Sequence, residues 1–73
     1  MKREQVKSSV IASIGYDADA EMLEVKFHTG RTYRYFDVPR RVHRELLAAG
    51  SIGAYFNSEI RPRYRSVEVN VAR

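Results

Sequence analysis

Residues 22–36 read MLEVKFHTGRTYRYF, and this stretch decides the fold of the chain. Leu23, Val25 and Phe27 alternate with charged residues, which is the pattern of a strand buried on one face. A three-residue loop ending at Gly30 supplies the left-handed position that such loops need, whereas a two-residue turn would place a β-branched threonine there. The stretch therefore predicts an antiparallel β-hairpin.

The loop length also determines where the side chains of Tyr33-Arg34-Tyr35 point. With three loop residues, Val25 pairs with Tyr33 and Leu23 pairs with Tyr35. Both tyrosine rings then join the apolar face of the hairpin, with their hydroxyls at its edge. Stacking of these rings on nucleic-acid bases is the alternative interpretation.

A helix is predicted directly after the hairpin. Pro39 suits the first turn of a helix and Gly50 is a natural stop, so residues 39–49 are expected to be helical. Val42 and Leu46 fall on its apolar stripe.

A second, shorter helical segment is predicted from Ser51 to Ile60. Ser51 is its cap, and Ile52, Phe56 and Ile60 recur every four residues. Gly53 weakens the first turn of this segment, which indicates a close approach of another part of the backbone.

Further strands are predicted near both ends of the chain. Residues 9–16 alternate, with Val10 and Ile14 on the buried face. Residues 66–71 alternate valines with polar residues and predict a short terminal strand. Residues 1–8 have no apolar period, so we expect a loose N-terminal arm.

These elements predict an α+β fold in a single domain spanning residues 9–73. We expect a small antiparallel three- to four-stranded β-meander with one α-helix and a second short helix packed on one face. A chain of 73 residues has few core positions and little stability to spare. The predicted core comprises the apolar residues of these elements, Val10, Ile14, Leu23, Val25, Phe27, Val42, Leu46, Leu47, Ile52, Phe56 and Ile60.

Residues 49–61 read AGSIGAYFNSEIR and follow the central Tyr33-Arg34-Tyr35. Together these residues resemble the KTSC domain, a family named for the C-terminus of some lysyl-tRNA synthetases and also found as short stand-alone bacterial proteins. The resemblance runs from about residue 9 to residue 65. It implies a binding module, with RNA as the expected ligand.

The charge distribution points to the same class of partner. The formal net charge is +4, and the segment from Arg31 to Arg65 carries eight arginines against three acids, a net of +5. Arginine binds phosphate in a planar fork and stacks on aromatic rings, so this bias favours a nucleic-acid ligand. An ordinary solvated basic surface is the alternative.

One cluster of candidate binding residues lies on the predicted helix. Arg40, Arg41 and Arg44 crowd its first turns, where the helix N-terminus itself attracts anions. The alternative interpretation is an exposed face that Glu45 partly neutralises.

The second cluster is Arg61-Pro62-Arg63-Tyr64-Arg65. If this segment is extended after the proline, its three arginines share one side at a spacing close to the repeat of backbone phosphates, and Tyr64 can stack. Protection of the terminal strand from pairing with other chains is an alternative, and Arg61 could instead clamp a helix C-terminus. We expect the two clusters to form one continuous basic surface.

No catalytic constellation or cofactor motif is recognisable, so we expect a non-enzyme without a cofactor. The acidic run Asp17-x-Asp19-x-Glu21 lacks the glycine of a calcium loop and predicts a solvated hairpin loop, and no other metal site is predicted. The chain has no cysteine, no apolar run long enough to span a membrane and no signal-peptide pattern, so we expect a cytoplasmic protein. The expected partner is RNA or another nucleic acid, with protein–protein interaction as the alternative. We expect a monomer or weak dimer, with neither a membrane nor a small-molecule substrate as partner.

Overall fold

Five strands in chain order form the sheet of this protein, in a computed structural model that describes residues 3–69. The α+β class and the meander are confirmed, because each strand pairs antiparallel with the next in the order β1-β2-β3-β4-β5. The sheet has five strands instead of the expected three or four. The strands are β1 (Arg3–Gln5), β2 (Ile11–Asp17), β3 (Met22–Phe27), β4 (Thr32–Tyr35) and β5 (Ser66–Val69).

The helices connect β4 to β5 and cover one face of the sheet. Helix α1 spans Arg40–Ala48, and helix α2 (Ile52–Tyr55) continues into a π-helical turn at Phe56–Ile60. The predicted cap is confirmed, since the Ser51 hydroxyl accepts a hydrogen bond from the Ala54 backbone N–H at 3.3 Å. No helix within residues 3–69 is both long enough and apolar enough to cross a bilayer.

The hairpin of β3 and β4 has the predicted register. Val25 lies opposite Tyr33, and Leu23 lies opposite Tyr35. Gly30 adopts a φ of 96° in the connecting loop, a conformation that residues with a Cβ rarely adopt. The loop therefore sets the face on which both tyrosines lie.

Strand β2 departs from the simple alternation that its sequence suggests. Its pairing with β3 shifts between Ile11 and Ser13, so Ala12 is an extra residue on the β2 side. Such a bulge reverses the alternation beyond it, and both Ile11 and Ile14 are consequently buried. Val10, which we expected in the core, is 43% exposed, so that prediction is wrong.

The N-terminal segment is more ordered than its composition suggests. We expected residues 1–8 to form a loose arm, but Arg3–Gln5 pairs with β2, and Arg3 lies opposite Gly15. At the other end the predicted terminal strand is found at Ser66–Val69. Its predicted continuation to Val71 lies outside the described residues.

The core lies between the sheet and the helices. The fully enclosed set contains Ile11, Tyr35 and Val38, which are missing from the predicted core list, whereas Phe27, Leu47 and Ile52 are half-buried at its edge. The buried residues are Ile11, Ile14, Leu23, Val25, Tyr35, Val38, Val42, Leu46, Phe56 and Ile60.

A stacked pair of rings holds α1 against β2. The rings of Tyr16 and His43 are parallel to within 11°, with centroids 4.6 Å apart, and the Tyr16 hydroxyl donates to the Val38 carbonyl at 2.6 Å. Burial lowers the pKa of His43, and the charge of Glu4 opposes this effect.

The opposite face of the sheet carries a buried ion cluster. Glu24 is only 4% exposed, and its carboxylate accepts hydrogen bonds from Arg3 and, at 2.8 Å, from Arg34. Gly15 lies between Arg3 and Glu24 in the cross-strand row, so the Arg3 side chain can reach across it. Burial alone would raise the pKa of Glu24, but the hydrogen bonds and charges of the two arginines outweigh burial and lower it.

Candidate nucleic-acid interface

The three arginines predicted on the helix are exposed along the first half of α1. Arg41 pairs with Glu45 at 3.4 Å, one helical turn away. Arg40 and Arg44 have no carboxylate within 4 Å in the part of the chain that the structure describes. The first turn of α1 contains no acidic residue that would compete with a bound anion.

Residues 61–65 form turns instead of the predicted extended segment. The backbone N–H groups of Arg63 and Tyr64 both donate to the Ile60 carbonyl at 3.1 Å, which prolongs the helical path past Pro62. The prediction is wrong because proline's fixed φ is as compatible with a helical turn as with an extended chain. The arginines of this segment therefore do not alternate along one side.

The side chains of this turn have specific partners. Arg61 donates to the Asn57 side-chain oxygen at 3.4 Å, so it braces its own turn. Arg63 pairs with Glu59 at 3.5 Å. Arg65 is exposed and has no carboxylate within 4 Å among residues 3–69. Tyr64, the one aromatic residue among the seven predicted site residues, is half-buried against the core.

Two acidic residues, Glu45 and Glu59, each pair with one arginine of a predicted cluster. The Tyr55 hydroxyl donates to Glu45 at 2.9 Å, which links α2 to α1. Burial, the hydrogen bond and charge of Glu45, and the charge of Glu59 all raise the pKa of Tyr55, so both carboxylates act on its hydroxyl. Arg41 and Arg63 pair with these same carboxylates. Each predicted cluster thus contains one arginine that has an acidic partner.

The structure also forms a groove that the sequence analysis did not identify. This tyrosine groove has a volume of about 580 Å³ and brings together five separate parts of the chain. No aspartate or glutamate of residues 3–69 lines it. The lining residues are Ser9, Val10, Phe27, His28, Thr29, Arg31, Tyr33, Tyr35, Arg61 and Ser66.

Aromatic rings in edge-to-face contact form the floor of the tyrosine groove. Phe27 contacts Tyr33 at a centroid distance of 5.8 Å, and Phe56 lies beneath Tyr35 at 5.3 Å. Tyr35 is 4% exposed, so it is a core residue as its register predicts and has no open ring face. The half-buried Tyr33 is therefore the ring of this pair that stacking could use.

Two arginines flank the floor. Arg31, Tyr33 and Tyr35 are alternate residues of one chain segment, so they project to the same side of the sheet. Arg61 lines the groove together with Tyr35, and burial raises the pKa of Tyr35 while Ser66 and the charge of Arg61 oppose this effect. Among residues 3–69, neither Arg31 nor Arg61 has a carboxylate within 4 Å.

Hydrogen bonds fix one wall of the tyrosine groove. The backbone N–H of His28 donates to the Val10 carbonyl at 3.0 Å, and the His28 Nε2 lies 2.8 Å from the Ser8 carbonyl. The Ser8 hydroxyl accepts from the backbone N–H groups of Val10 and Ile11, both at 3.1 Å. This wall is therefore formed before any ligand binds.

Two further expectations concern Gly53 in α2 and the loop that follows β2. A Cβ built on Gly53 would lie 3.7 Å from the Ser8 hydroxyl oxygen and from Val10, which is ordinary contact, so the close backbone approach expected there is wrong. Asp17 accepts from the backbone N–H groups of Asp19 and Ala20, which is the geometry of a hairpin loop. Within residues 3–69 no three His, Cys, Asp or Glu side chains group together as metal ligands.

Of the seven predicted binding residues, only Arg61 lines the tyrosine groove. Arg31 and His28 are not among the predicted residues, although the alternation of Arg31 with Tyr33 and Tyr35 could have placed Arg31 beside the two rings. Arg31 and Arg61 are 30 residues apart in the sequence, and no local pattern connects them.

Comparison with known proteins gives three findings. Residues 7–64 match the profile of the KTSC domain. An uncharacterized protein of Stutzerimonas stutzeri is 44% identical over 88% of the chain and 90% of its own length, and a lysine–tRNA ligase of Nostoc punctiforme is 34% identical over 81% of the chain but only 10% of the ligase. The crystal structure of a KTSC domain protein from Yersinia pestis has a TM-score of 0.92 and 39% identity, and the match covers 94% of this chain and 97% of that one.

Proposed function

Since this chain belongs to the KTSC domain family, we propose that it is a small non-catalytic module that binds RNA through exposed arginines in the bacterial cytoplasm. The match to a lysine–tRNA ligase supports this proposal, because the name of that relative includes an RNA substrate. The proposed binding residues are Arg40, Arg41, Arg44, Arg61, Arg63, Tyr64 and Arg65.

Unpaired positive charge is the observation that carries the proposal. Within residues 3–69, five of the nine arginines have no carboxylate within 4 Å, and all five are exposed. A guanidinium fork binds phosphate in a bidentate geometry, and each neutralised phosphate releases counterions. A phosphodiester chain would supply the anions that the surface lacks. These five residues are Arg31, Arg40, Arg44, Arg61 and Arg65.

Salt-bridge geometry divides the predicted arginines into two kinds. Arg41 and Arg63 each have a carboxylate partner, which a phosphate would have to replace. Arg40 and Arg44 have no such partner among residues 3–69 and can bind phosphate directly. We therefore expect the unpaired arginines to contribute more to RNA affinity than the paired ones.

Two double variants with the same loss of charge test this proposal. Arg40→Gln with Arg44→Gln should reduce the salt slope of single-stranded RNA binding by about 1.4, at about 0.7 per lost phosphate contact. Arg41→Gln with Arg63→Gln should reduce the slope by less. Fluorescence anisotropy of a labelled RNA at several salt concentrations measures both slopes, and circular dichroism checks that both variants fold. An unchanged slope in the first variant would contradict the proposal.

One observation favours protein–protein interaction as a second candidate. Val67 lies on the edge strand β5 and is 47% exposed. An edge strand with an exposed apolar side chain can pair with a second copy of the chain. In that case sedimentation would show a dimer whose stability depends little on salt, and Val67→Lys would dissociate it.

A further inference from the structure

We propose that the tyrosine groove holds one unpaired nucleotide of the bound RNA, with the base against Tyr33 and the flanking phosphates on Arg31 and Arg61. This inference rests on the proposed function and names the unit that the module recognises. It also gives Arg31, an unpaired arginine outside the seven predicted positions, a specific place in the binding of that RNA.

The size of the groove fits a single nucleotide. Its volume of about 580 Å³ lies within the range of about 300–1,000 Å³ that is typical of small-ligand pockets. A paired base would bring its partner strand with it, and a groove of this volume does not hold a base pair together with its two backbones. The groove therefore favours a base that is free of pairing, as in a loop or at a strand end.

The floor offers a rigid surface for a base. Tyr33 is held edge-to-face by Phe27 with an interplanar angle of 77°, and Phe27 in turn contacts Phe56 at 5.5 Å. These contacts fix the Tyr33 ring, so a base that packs on it orders little additional structure. Aromatic packing tolerates every base, because each base presents a π-face.

The two arginines of the groove can bind the phosphates on either side of a neutral base. Alternate strand residues are about 6.6 Å apart, so Arg31 and Tyr35 are separated by about 13 Å along the strand. Arg61 also lines the groove and directly follows the π-helical turn, whose Phe56 packs against Tyr35. Both arginines thus line the aromatic floor, and no acidic residue of the described chain, residues 3–69, lines the groove to compensate their charge.

Hydroxyl groups that line the groove can form hydrogen bonds with the nucleotide. Ser9, Thr29 and Ser66 line the groove and can donate to or accept from a base edge or a ribose. An acidic peptide would satisfy the arginines but would leave the aromatic floor without a flat partner. The combination of floor, rim and flanking cations therefore favours a nucleotide over a carboxylate ligand.

An NMR titration of the full chain with uridine 5′-monophosphate tests the inference. We expect saturable shifts of the backbone amides of Thr29, Tyr33 and Ser66. Inorganic phosphate should bind more weakly and should leave the Tyr33 amide nearly unchanged. The double variant Arg31→Gln with Arg61→Gln should weaken uridine monophosphate binding at least tenfold.

The matched control is Lys7→Gln with Lys26→Gln, which removes the same charge at two exposed residues outside the groove and outside the proposed RNA-binding residues, and which should change the affinity less than twofold. Equal effects of the two double variants, or a glutamate peptide that binds the groove as tightly as uridine monophosphate, would overturn the inference.

If RNA binds with a steep salt dependence but uridine monophosphate shifts no groove amide, the inference is wrong and the proposed function stands. If uridine monophosphate binds in the groove but RNA does not bind at all, the groove assignment is supported and the proposed function is wrong.

Discussion

Replacing Glu24 by glutamine should destabilise the protein measurably, although Glu24 is outside the proposed site. The Glu24 side chain is 6% exposed, and its two carboxylate oxygens accept hydrogen bonds from Arg3 and Arg34. Glutamine keeps the shape but replaces one acceptor oxygen with an NH₂ group that faces a guanidinium donor.

The size of the effect follows from the burial of the three partners. A hydrogen bond to a charged group contributes about 1.5–3 kcal/mol, and removing one partner of a buried ion pair costs about 3–5 kcal/mol. The Arg3 and Arg34 side chains are 36% and 42% exposed, so both can turn toward water and reduce this cost. We therefore expect Glu24→Gln to lower the free energy of unfolding by about 1–3 kcal/mol, from a total of about 4–11 kcal/mol for a chain of this length.

Urea denaturation at several pH values provides the assay. The pKa of Glu24 is lowered in the folded state, so its contribution to stability is present above its ordinary pKa of about 4.3 and is lost as the pH falls through the folded value. The difference between wild type and Glu24→Gln should consequently be largest at neutral pH and disappear in strong acid. Lys26→Gln, an exposed change on the same strand, should shift stability by less than about 0.5 kcal/mol.

Two results would refute this reasoning. Glu24→Gln could prove as stable as the wild type at neutral pH, in which case the ion cluster contributes nothing. The difference could also persist unchanged in acid, in which case it arises from packing and not from the charge of Glu24.

The remaining predictions concern the core, the second helix and a buried histidine. Leu46→Ala should cost about 2–5 kcal/mol, because Leu46 is fully buried, and a thermal melt unchanged from wild type would show that the α1 face is misassigned. Gly53→Ala should raise the unfolding free energy by up to about 1 kcal/mol in urea denaturation, since the new Cβ meets only ordinary contacts; a loss of stability would contradict that geometry. Because burial lowers the pKa of His43, the unfolded chain takes up this proton first and stability should fall below about pH 6.5. His43→Phe keeps a ring against Tyr16 and should remove that fall, which urea denaturation at pH 7.5 and 5.5 would detect.

Local patterns were sufficient for the elements that local chemistry determines. Gly30 set the loop length, and the loop length gave the correct pairing of Val25 with Tyr33. Ser51 identified the start of α2 because capping needs only a side chain and a backbone N–H three residues later. The pairing register of β3 with β4 and the start of α2 were therefore predictable from the sequence.

Contacts between distant parts of the chain were not predictable in this way. The bulge at Ala12 moved Val10 out of the core, and it depends on pairing with β3 and not on β2 alone. The turn after Pro62 depends on the Ile60 carbonyl, while proline itself permits both outcomes. The tyrosine groove forms because β4 and the π-helical turn pack on the same core, which brings Arg61 into the groove that Tyr33 and Tyr35 line.

The salt dependence of RNA binding by the wild type tests the central claim most directly. Five unpaired arginines at about 0.7 each predict a slope of log affinity against log salt near −3.5, so binding should weaken about 100-fold between 50 and 200 mM salt. The measurement is an anisotropy titration of single-stranded RNA with the unmodified chain. A slope near zero, or no binding at 50 mM salt, would contradict the account and favour an apolar protein interface.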